Sequence, residues 1–438
     1  MPIPIITTIL LVFSLLASGA WVALSLMGVG ISSLSLFRSI PVDKILAQTT
    51  WNGLASPELV ALPLFILMAE LLMRSRFIDG LFSALEPWVR KLPGGLMHIN
   101  ILGCTFFALI SGSSAATTSA VGKITVKELE QRGYDRSMAM GSLAGAGTLG
   151  FLIPPSIIMI IYGVLSQTSV LKLFAAGLIP GILLALLLMS YIAVHAMIKQ
   201  RKQSDKLDQQ ETKATTSVSI WYERFSQLPA LIPFFVLMGV LLTSLYGGFA
   251  SPSEAASIGV GVTLIIMAIE RSLTWSGLKA ACIGTAKTAS MLGLIIAAAA
   301  FLSTAMGFLG LPQAISSAVN ALDLSPMQLI ALLVVSYIIL GCFLEGMSLI
   351  VMTLPIVLPI IISAGYDKIW FGVFLIIVVE MAQISPPVGM NLYVIQGLTG
   401  ESLGKIARSV APFFVLMVLF VFILAMFPQL ATFLPSLM

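Results

Sequence analysis

Residues 111–122 read SGSSAATTSAVG, twelve side chains with none larger than valine, set inside strongly apolar sequence. Ser111, Gly112, Ser113 and Ser114 offer hydroxyls and bare carbonyls, and a helix starting just after them would present free N–H groups. Carbonyl and hydroxyl oxygens suit a hard cation such as Na⁺, while a helix N-terminus attracts a carboxylate. The chemistry within reach is therefore reversible binding of an ion and an organic anion. A second set, Glu345-Gly346-Met347-Ser348, stands at the corresponding place in the later half. Its carboxylate can balance a cation or pair with a neighbouring helix, and Thr353 and the helix-breaking Pro355 and Pro359 follow it. The plainer use of so many small residues is close helix packing with no ligand.

Each set has a companion built around two prolines. AGAGTLGFLIPPS (144–156) contains Gly147, Gly150, Pro154 and Ser156, and AQISPPVGMN (382–391) contains Gln383, Ser385, Pro387, Gly389 and Asn391. Proline lacks an N–H, and its ring disfavours helical geometry in the residue before it. Both stretches are thus expected to be unwound at membrane depth, unless they are simple kinks. An orphaned polar group in lipid costs several kcal/mol, so unwinding is tolerable only where the backbone lines a cavity or binds something. Thr117, Thr118, Ser156 and Asn391 would then supply neutral hydrogen bonds to the anion. Its charge would be met by bound Na⁺ and by broken-helix N-termini near 115–118 and 388–391, since no buried Lys or Arg falls between the breaks.

The elements that hold these residues must be membrane helices. Of 438 residues 58% are hydrophobic and only 10% charged, with a mean hydropathy of +1.05. Such a chain cannot clothe its own core in polar surface, so lipid has to be its solvent. The net charge of +4 is too small to imply a nucleic-acid partner. The fold class expected is all-α: a polytopic membrane protein with about eleven spans and two re-entrant hairpins. Residues 1–36 read as a first membrane helix and an apolar segment, not a removed signal peptide.

The polar stretch after Lys199 reads as a solvated linker. Lys199, Arg201, Lys202 and Lys206 directly follow a membrane helix and place it on the cytoplasmic side. It also separates two similar halves: ILGC recurs at 101–104 and 339–342, and a proline pair follows each time. The organisation expected is an N-terminal segment (1–56), a first repeat (57–198), the linker (199–222) and a second repeat (223–438). Hairpins fall near 95–122 and 327–362, and broken helices near 144–163 and 371–396. Discontinuous helices in an internal repeat are the pattern of secondary transporters.

Other residues weigh against rival classes. No HExxH, acidic metal cluster or histidine-based dyad supports an enzyme. A Na⁺/H⁺ antiporter would want paired buried aspartates, whereas both breaks are rich in neutral oxygens. Cys104, Cys282 and Cys342 read as small core side chains, and His98 and His195 as interfacial. Glu70 is placed to pair with Arg74 one turn on. Ser251-Pro252-Ser253-Glu254 reads as a helix start. Glu380, ionisable within an apolar run, is expected to shape the cation site.

Several motifs together resemble the large membrane subunit, DctM-like, of tripartite ATP-independent periplasmic (TRAP) transporters. They are FILMAELLMRS (65–75), LPGGL (92–96), ISGSSAATTSAVG (110–122), IPPSIIMIIYG (153–163), LFAAGLIPG (173–181), ASPSEAASIG (250–259) and FGVFLIIVVEMAQISPPVGMNLYV (371–394). The resemblance implies an elevator with inverted repeats, in which a transport domain slides on a scaffold in a bacterial inner membrane. It implies Na⁺-driven import of organic anions, mostly carboxylates, with a small DctQ-like membrane subunit and a periplasmic substrate-binding protein as partners. By analogy one cation site lies between Ser111–Ser114 and the break at 147–155. The other lies between Glu345–Ser348 and Gln383–Gly389. Many dicarboxylate-type members carry Asp where this chain has Thr117; family sequences usually have glycine at Ala382 and threonine at Ser385, and a residue as large as Gln383 is unusual. Ser385 keeps the hydroxyl and with it the cation site, whereas Thr117 and Gln383 tilt the expected substrate from a C4-dicarboxylate towards a sialic-acid-like sugar acid.

Overall fold

The computed structural model describes residues 7–8, 10–12, 14–15, 20–75, 77–204, 228–320, 324–342, 344–387 and 389–438. Every regular element among them is a helix, as lipid solvent demands. Helices α1 (Val22–Phe37), α2 (Val42–Leu54), α3 (Ala61–Leu72) and α4 (Phe77–Val89) come first. A hairpin of α5 (Met97–Ser111) and α6 (Ser114–Gln131) follows, then α7 (Arg136–Gly147), a further turn at Leu149–Leu152, and α8 (Ile157–Ser166). The long α9 (Val170–Ser204) closes this half.

The later half runs through α10 (Ile232–Tyr246), α11 (Pro252–Ile269), α12 (Trp275–Leu309) and α13 (Leu311–Asn320). It repeats the same succession: a hairpin of α14 (Pro326–Gly341) and α15 (Gly346–Ser363), then a broken pair, α16 (Lys368–Gln383) and α17 (Met390–Thr399). Helices α18 (Leu403–Met426) and α19 (Gln429–Ser436) end the chain.

The breaks are narrower than the sequence predicts. Residues 144–147 and 149–152 are helical and Thr148 between them keeps helical angles (φ −65°, ψ −15°), so the chain turns extended only at Ile153 (φ −90°, ψ 123°), ahead of Pro154. The residue before a proline is the one forced out of helical geometry, and glycine alone does not interrupt the ladder. In the second pair α16 ends at Gln383 and α17 starts at Met390. Lone prolines break nothing: Pro355 and Pro359, expected to interrupt the second hairpin, lie inside a continuous α15. One proline removes a single backbone bond, which neighbouring helices can offset.

Local sequence explains the helix starts. Ser113, Asp135, Ser156 and Asp367 each accept a backbone N–H at the start of α6, α7, α8 and α16. Ser251 and Glu254 form a reciprocal capping box at α11, and Glu70 pairs with Arg74 at 2.9 Å, both as the sequence predicts. Two expectations need correction. Cys282 is exposed, unlike Cys104 and Cys342. Lys199–Ser204 continues α9 as helix where the start of the linker was expected; the rest of that stretch, 205–222, lies outside the described residues.

Two helices form the centre. All of α16 from Trp370 to Gln383 is buried, as is α7 from Met138 to Gly147. Around them α1, α2, α3 and α11 gather against α12 or one another as a separate layer. Five described helices are long and apolar enough to cross a bilayer, and up to seven spans result if each of two bent pairs counts as one. One of these pairs is the first broken helix, bent by 44°. Helices α1, α10 and α14 are equally apolar but shorter.

Candidate functional site

The first hairpin turns at Gly112, whose left-handed backbone (φ 53°) ends α5. A side chain there would be strained by that backbone, and a Cβ would also stand 3.2 Å from the Ile157 nitrogen and 3.3 Å from the Pro155 carbonyl. The hairpin tip therefore sits on the proline break. Gly150 meets it from the other side, since a Cβ on Gly150 would come within 2.9 Å of the Ser113 carbonyl and the Ser114 backbone. Ser111–Ser114, Gly147 and Gly150, assigned to one cation site from the sequence, are thus brought together.

Their hydroxyls are differently occupied. Ser113 Oγ caps α6. Ser111 Oγ shares a 2.7 Å hydrogen bond with Thr117 Oγ1. Ser114 Oγ is at 3.1 Å from the Gly147 carbonyl and 2.8 Å from Glu380 Oε2, and it accepts from Asn391 Nδ2 at 2.8 Å. Glu380 and Asn391 belong to the second half, so this link crosses the repeats. The sequence hints at it only through the presence of a carboxylate in an apolar run.

The second hairpin turns ahead of Glu345, which caps α15 by accepting from Ser348 N at 3.2 Å and faces the Ser348 hydroxyl at 3.4 Å. A Cβ on Gly346 would stand 3.4 Å from Gln383 Nε2, and one on Gly389 within 2.7 Å of the Ser385 carbonyl. Cys342 Sγ lies 3.1 Å from the Ile338 carbonyl of its own helix and 3.2 Å from the Pro386 carbonyl, and its single hydrogen can serve one of them. This buried cysteine, read from the sequence as core filler, thus packs where the hairpin meets the break. Glu345, Gly346, Ser348, Gln383, Ser385 and Gly389 accordingly cluster as a second tip-on-break arrangement.

The residues assigned to the substrate divide. Thr117, Thr118, Pro154, Ser156 and Asn391 are buried, and Ser156 Oγ is taken by the cap of α8. Pro386 and Pro387 are exposed. The first break is therefore buried while the prolines of the second are exposed. Buried side-chain atoms with no hydrogen-bond partner include Thr118 Oγ1, Glu380 Oε1, Gln383 Nε2 and Asn391 Oδ1. Burying such atoms unpaired is costly, so their concentration at these crossings marks a place prepared for something else.

A cavity of about 740 Å³ lies apart from both clusters, between α2, the end of α8, α12 and α15. Its walls carry Thr49, Asn52, Gln167, Thr168, Ser303 and Thr304, with Glu58 as their one charge. None of the residues singled out in the sequence as ligands lines it. It sits where α9 begins, about 50 Å from the other end of that 35-residue helix.

Residues 9–430 match the family model "Tripartite ATP-independent periplasmic transporter, DctM component". The chain is 32% identical to the C4-dicarboxylate TRAP transporter large permease protein DctM of Pseudomonas aeruginosa, over 86% of each protein. It is 29% identical to the isethionate TRAP transporter permease protein DctMQ of Oleidesulfovibrio alaskensis, covering 99% of this chain and 66% of that longer one. The crystal structure of the YdaH transporter from Alcanivorax borkumensis shares the fold, with a TM-score of 0.65 at 13% identity over 99% of this chain and 98% of that one. With hairpin tips seated on proline breaks in both halves and the family model matched almost end to end, this chain belongs to the DctM family of TRAP transporter large permeases.

Proposed function

We propose that this multi-pass membrane protein imports an organic anion across a bacterial inner membrane, driven by a Na⁺ gradient. The observation that carries the reading is the duplicated arrangement of a hairpin tip on a proline-broken helix, each bringing hydroxyls and backbone carbonyls together with one carboxylate, Glu380 at the first and Glu345 at the second. Such oxygens replace the hydration shell of a hard monovalent cation. Hairpin and broken helix follow one another in the same order in each half, the succession an internal repeat gives. The core of α7 and α16 is the candidate transport domain, and the layer of α1, α2, α3, α11 and α12 the candidate scaffold.

Entry is proposed through the 740 Å³ cavity, which is of a size to take a small organic solute. It lies at the opposite end of α9 from Lys199 and Arg201, and the positive-inside rule puts that end outside the cytoplasm. Two partners are inferred: a periplasmic binding protein that delivers substrate, and a small DctQ-like subunit beside the scaffold. The name DctMQ of the longer relative supports the second. A sugar acid of the sialic type is the favoured substrate, because Thr117 leaves the first hairpin without a carboxylate of its own.

Uptake of labelled sialic acid, C4-dicarboxylate and isethionate into proteoliposomes tests this reading. Transport that requires a Na⁺ gradient, the small subunit and the binding protein is the expected result. Ion flux without organic substrate would refute it.

A further inference from the structure

We propose that the polar end of α9 carries a binding site for the phosphate headgroup of an anionic phospholipid. Two adjoining cavities form it, of about 330 Å³ and 180 Å³, with Asp135 and His195 in the walls of both. The site concerns the membrane around the chain and does not depend on which solute is carried.

The larger cavity is framed by the LPGGL stretch (92–96), a motif that neither hairpin cluster uses. Gly94 and Gly95 both take left-handed backbone (φ 98° and 52°), which glycine adopts at no steric cost. A Cβ on Gly95 would stand 2.5 Å from Tyr134 Oη, so the bare turn leaves room for that hydroxyl in the cavity wall. Tyr134 Oη accepts from Leu96 N at 3.2 Å and gives its own hydrogen to none of the described residues. It can therefore donate to an arriving oxygen.

Charge is the second observation. Arg90 and Lys199 line the larger cavity and Arg408 the smaller, and Asp135 is the one carboxylate among their described lining residues. Lys199 pairs with Asp135 at 2.8 Å, while Arg408 is exposed and has no ion pair among the described residues. The walls are thus net positive, at the end of α9 that the positive-inside rule puts in the cytoplasm.

The surroundings select a lipid over a soluble anion. Ile192, His195 and Lys199 share one face of α9 and line the cavity. The neighbouring face carries Leu186, Val194, Met197 and Ile198, each between 44% and 56% exposed, in a helix long and apolar enough to span. Such a flank suits acyl chains. Trp88, on α4 just ahead of Arg90, is 39% exposed, and tryptophan favours the level where headgroups meet hydrocarbon. The cavities therefore lie where a lipid-facing flank gives way to cations. Basic pockets between helices on the cytoplasmic side suit anionic headgroups. A phosphatidylcholine headgroup brings its own cation and gains little there. A bound headgroup would clamp the end of α9 to the starts of α5 and α7 and to α18.

Native mass spectrometry of the purified, delipidated permease complex, titrated with phosphatidylglycerol or phosphatidylcholine, tests the proposal. One phosphatidylglycerol per chain should bind about tenfold more tightly than phosphatidylcholine, or better. Lys199→Gln and Arg408→Gln should each weaken it about fivefold, the contribution of one basic residue beside an anionic lipid. Arg408→Gln breaks no described ion pair and carries the test if Lys199→Gln does not fold. Asp135→Asn removes the opposing carboxylate, keeps a capping oxygen, and should tighten binding several-fold. Lys279→Gln, exposed near the start of α12, should change nothing. Equal affinity for the two lipids, or phosphatidylglycerol binding unaltered by both Arg408→Gln and Asp135→Asn, would overturn the site. Displacement of the lipid by equimolar inorganic phosphate would overturn it too, by making the ligand a soluble phosphate.

Discussion

At the scale of single residues, contact between backbones decides more than side-chain chemistry does. Gly147 lies so close to Thr118 that a methyl group there would overlap the threonine hydroxyl. Gly147→Ala should cost about 1–3 kcal/mol through overpacking, read as a lower melting temperature of the purified protein. Removing the opposing hydroxyl tests the cause. Gly147→Ala with Thr118→Ala should recover part of the loss, a coupling that appears only between residues in contact. Ser113 offers a second test. Because its hydroxyl caps α6, Ser113→Ala should cost about 1 kcal/mol of stability, and Ser113→Asp should restore most of it. A Ser113→Ala protein that loses Na⁺ affinity with unchanged stability would give the hydroxyl a direct role in binding.

Among the elements, the broken helices are held at their polar ends as well as at their breaks. Asp135 caps α7 with one oxygen, accepting from Ser137 N at 2.9 Å and Met138 N at 3.1 Å. Its other oxygen receives Lys199 Nζ from the end of α9 at 2.8 Å. The Lys199 hydrogen bond, and then the two backbone amides, hold the Asp135 carboxyl below its ordinary value of 3.8. A depressed carboxyl contributes stability above its unfolded value and loses it as pH falls through the folded one. The gap in melting temperature between wild type and Asp135→Asn should thus be open at pH 7 and close below about pH 3–4. Asn keeps a capping oxygen, so the gap reports the charge and not the cap. A gap independent of pH would assign the effect to something other than the Lys199 pair.

Over the whole molecule, the first break is buried and the prolines of the second are exposed. If the anion relies on bound Na⁺ for its positive potential, each ligand raises the other's affinity by the same factor. Substrate binding to the purified membrane complex should therefore tighten with Na⁺ concentration, and an affinity independent of Na⁺ would sever that coupling. The cavity makes a separate prediction. Ser303→Trp, which puts a large ring into the 740 Å³ space, should lower uptake at least tenfold and leave ²²Na⁺ binding intact. Normal uptake in this variant would move the substrate's path elsewhere.

The sequence by itself determined the solvent, the duplication and the location of each break. Those follow from composition, from ILGC and from the two proline pairs, and each is a property of a local stretch of chain. Local rules also gave the capping box at Ser251 and the pair of Glu70 with Arg74. They overstated the unwinding at 144–152 and the effect of Pro355 and Pro359, because glycine and a lone proline leave enough of the helical ladder to survive. Tertiary structure alone decided that Ser114 meets Glu380 and Asn391 across 266 and 277 residues. It also decided that Cys342 packs against the second break, that Pro154 is buried while Pro387 is exposed, and that the 740 Å³ cavity avoids every suspected ligand. No spacing rule reaches such pairings, since they depend on how two buried helices from different halves pack against one hairpin tip.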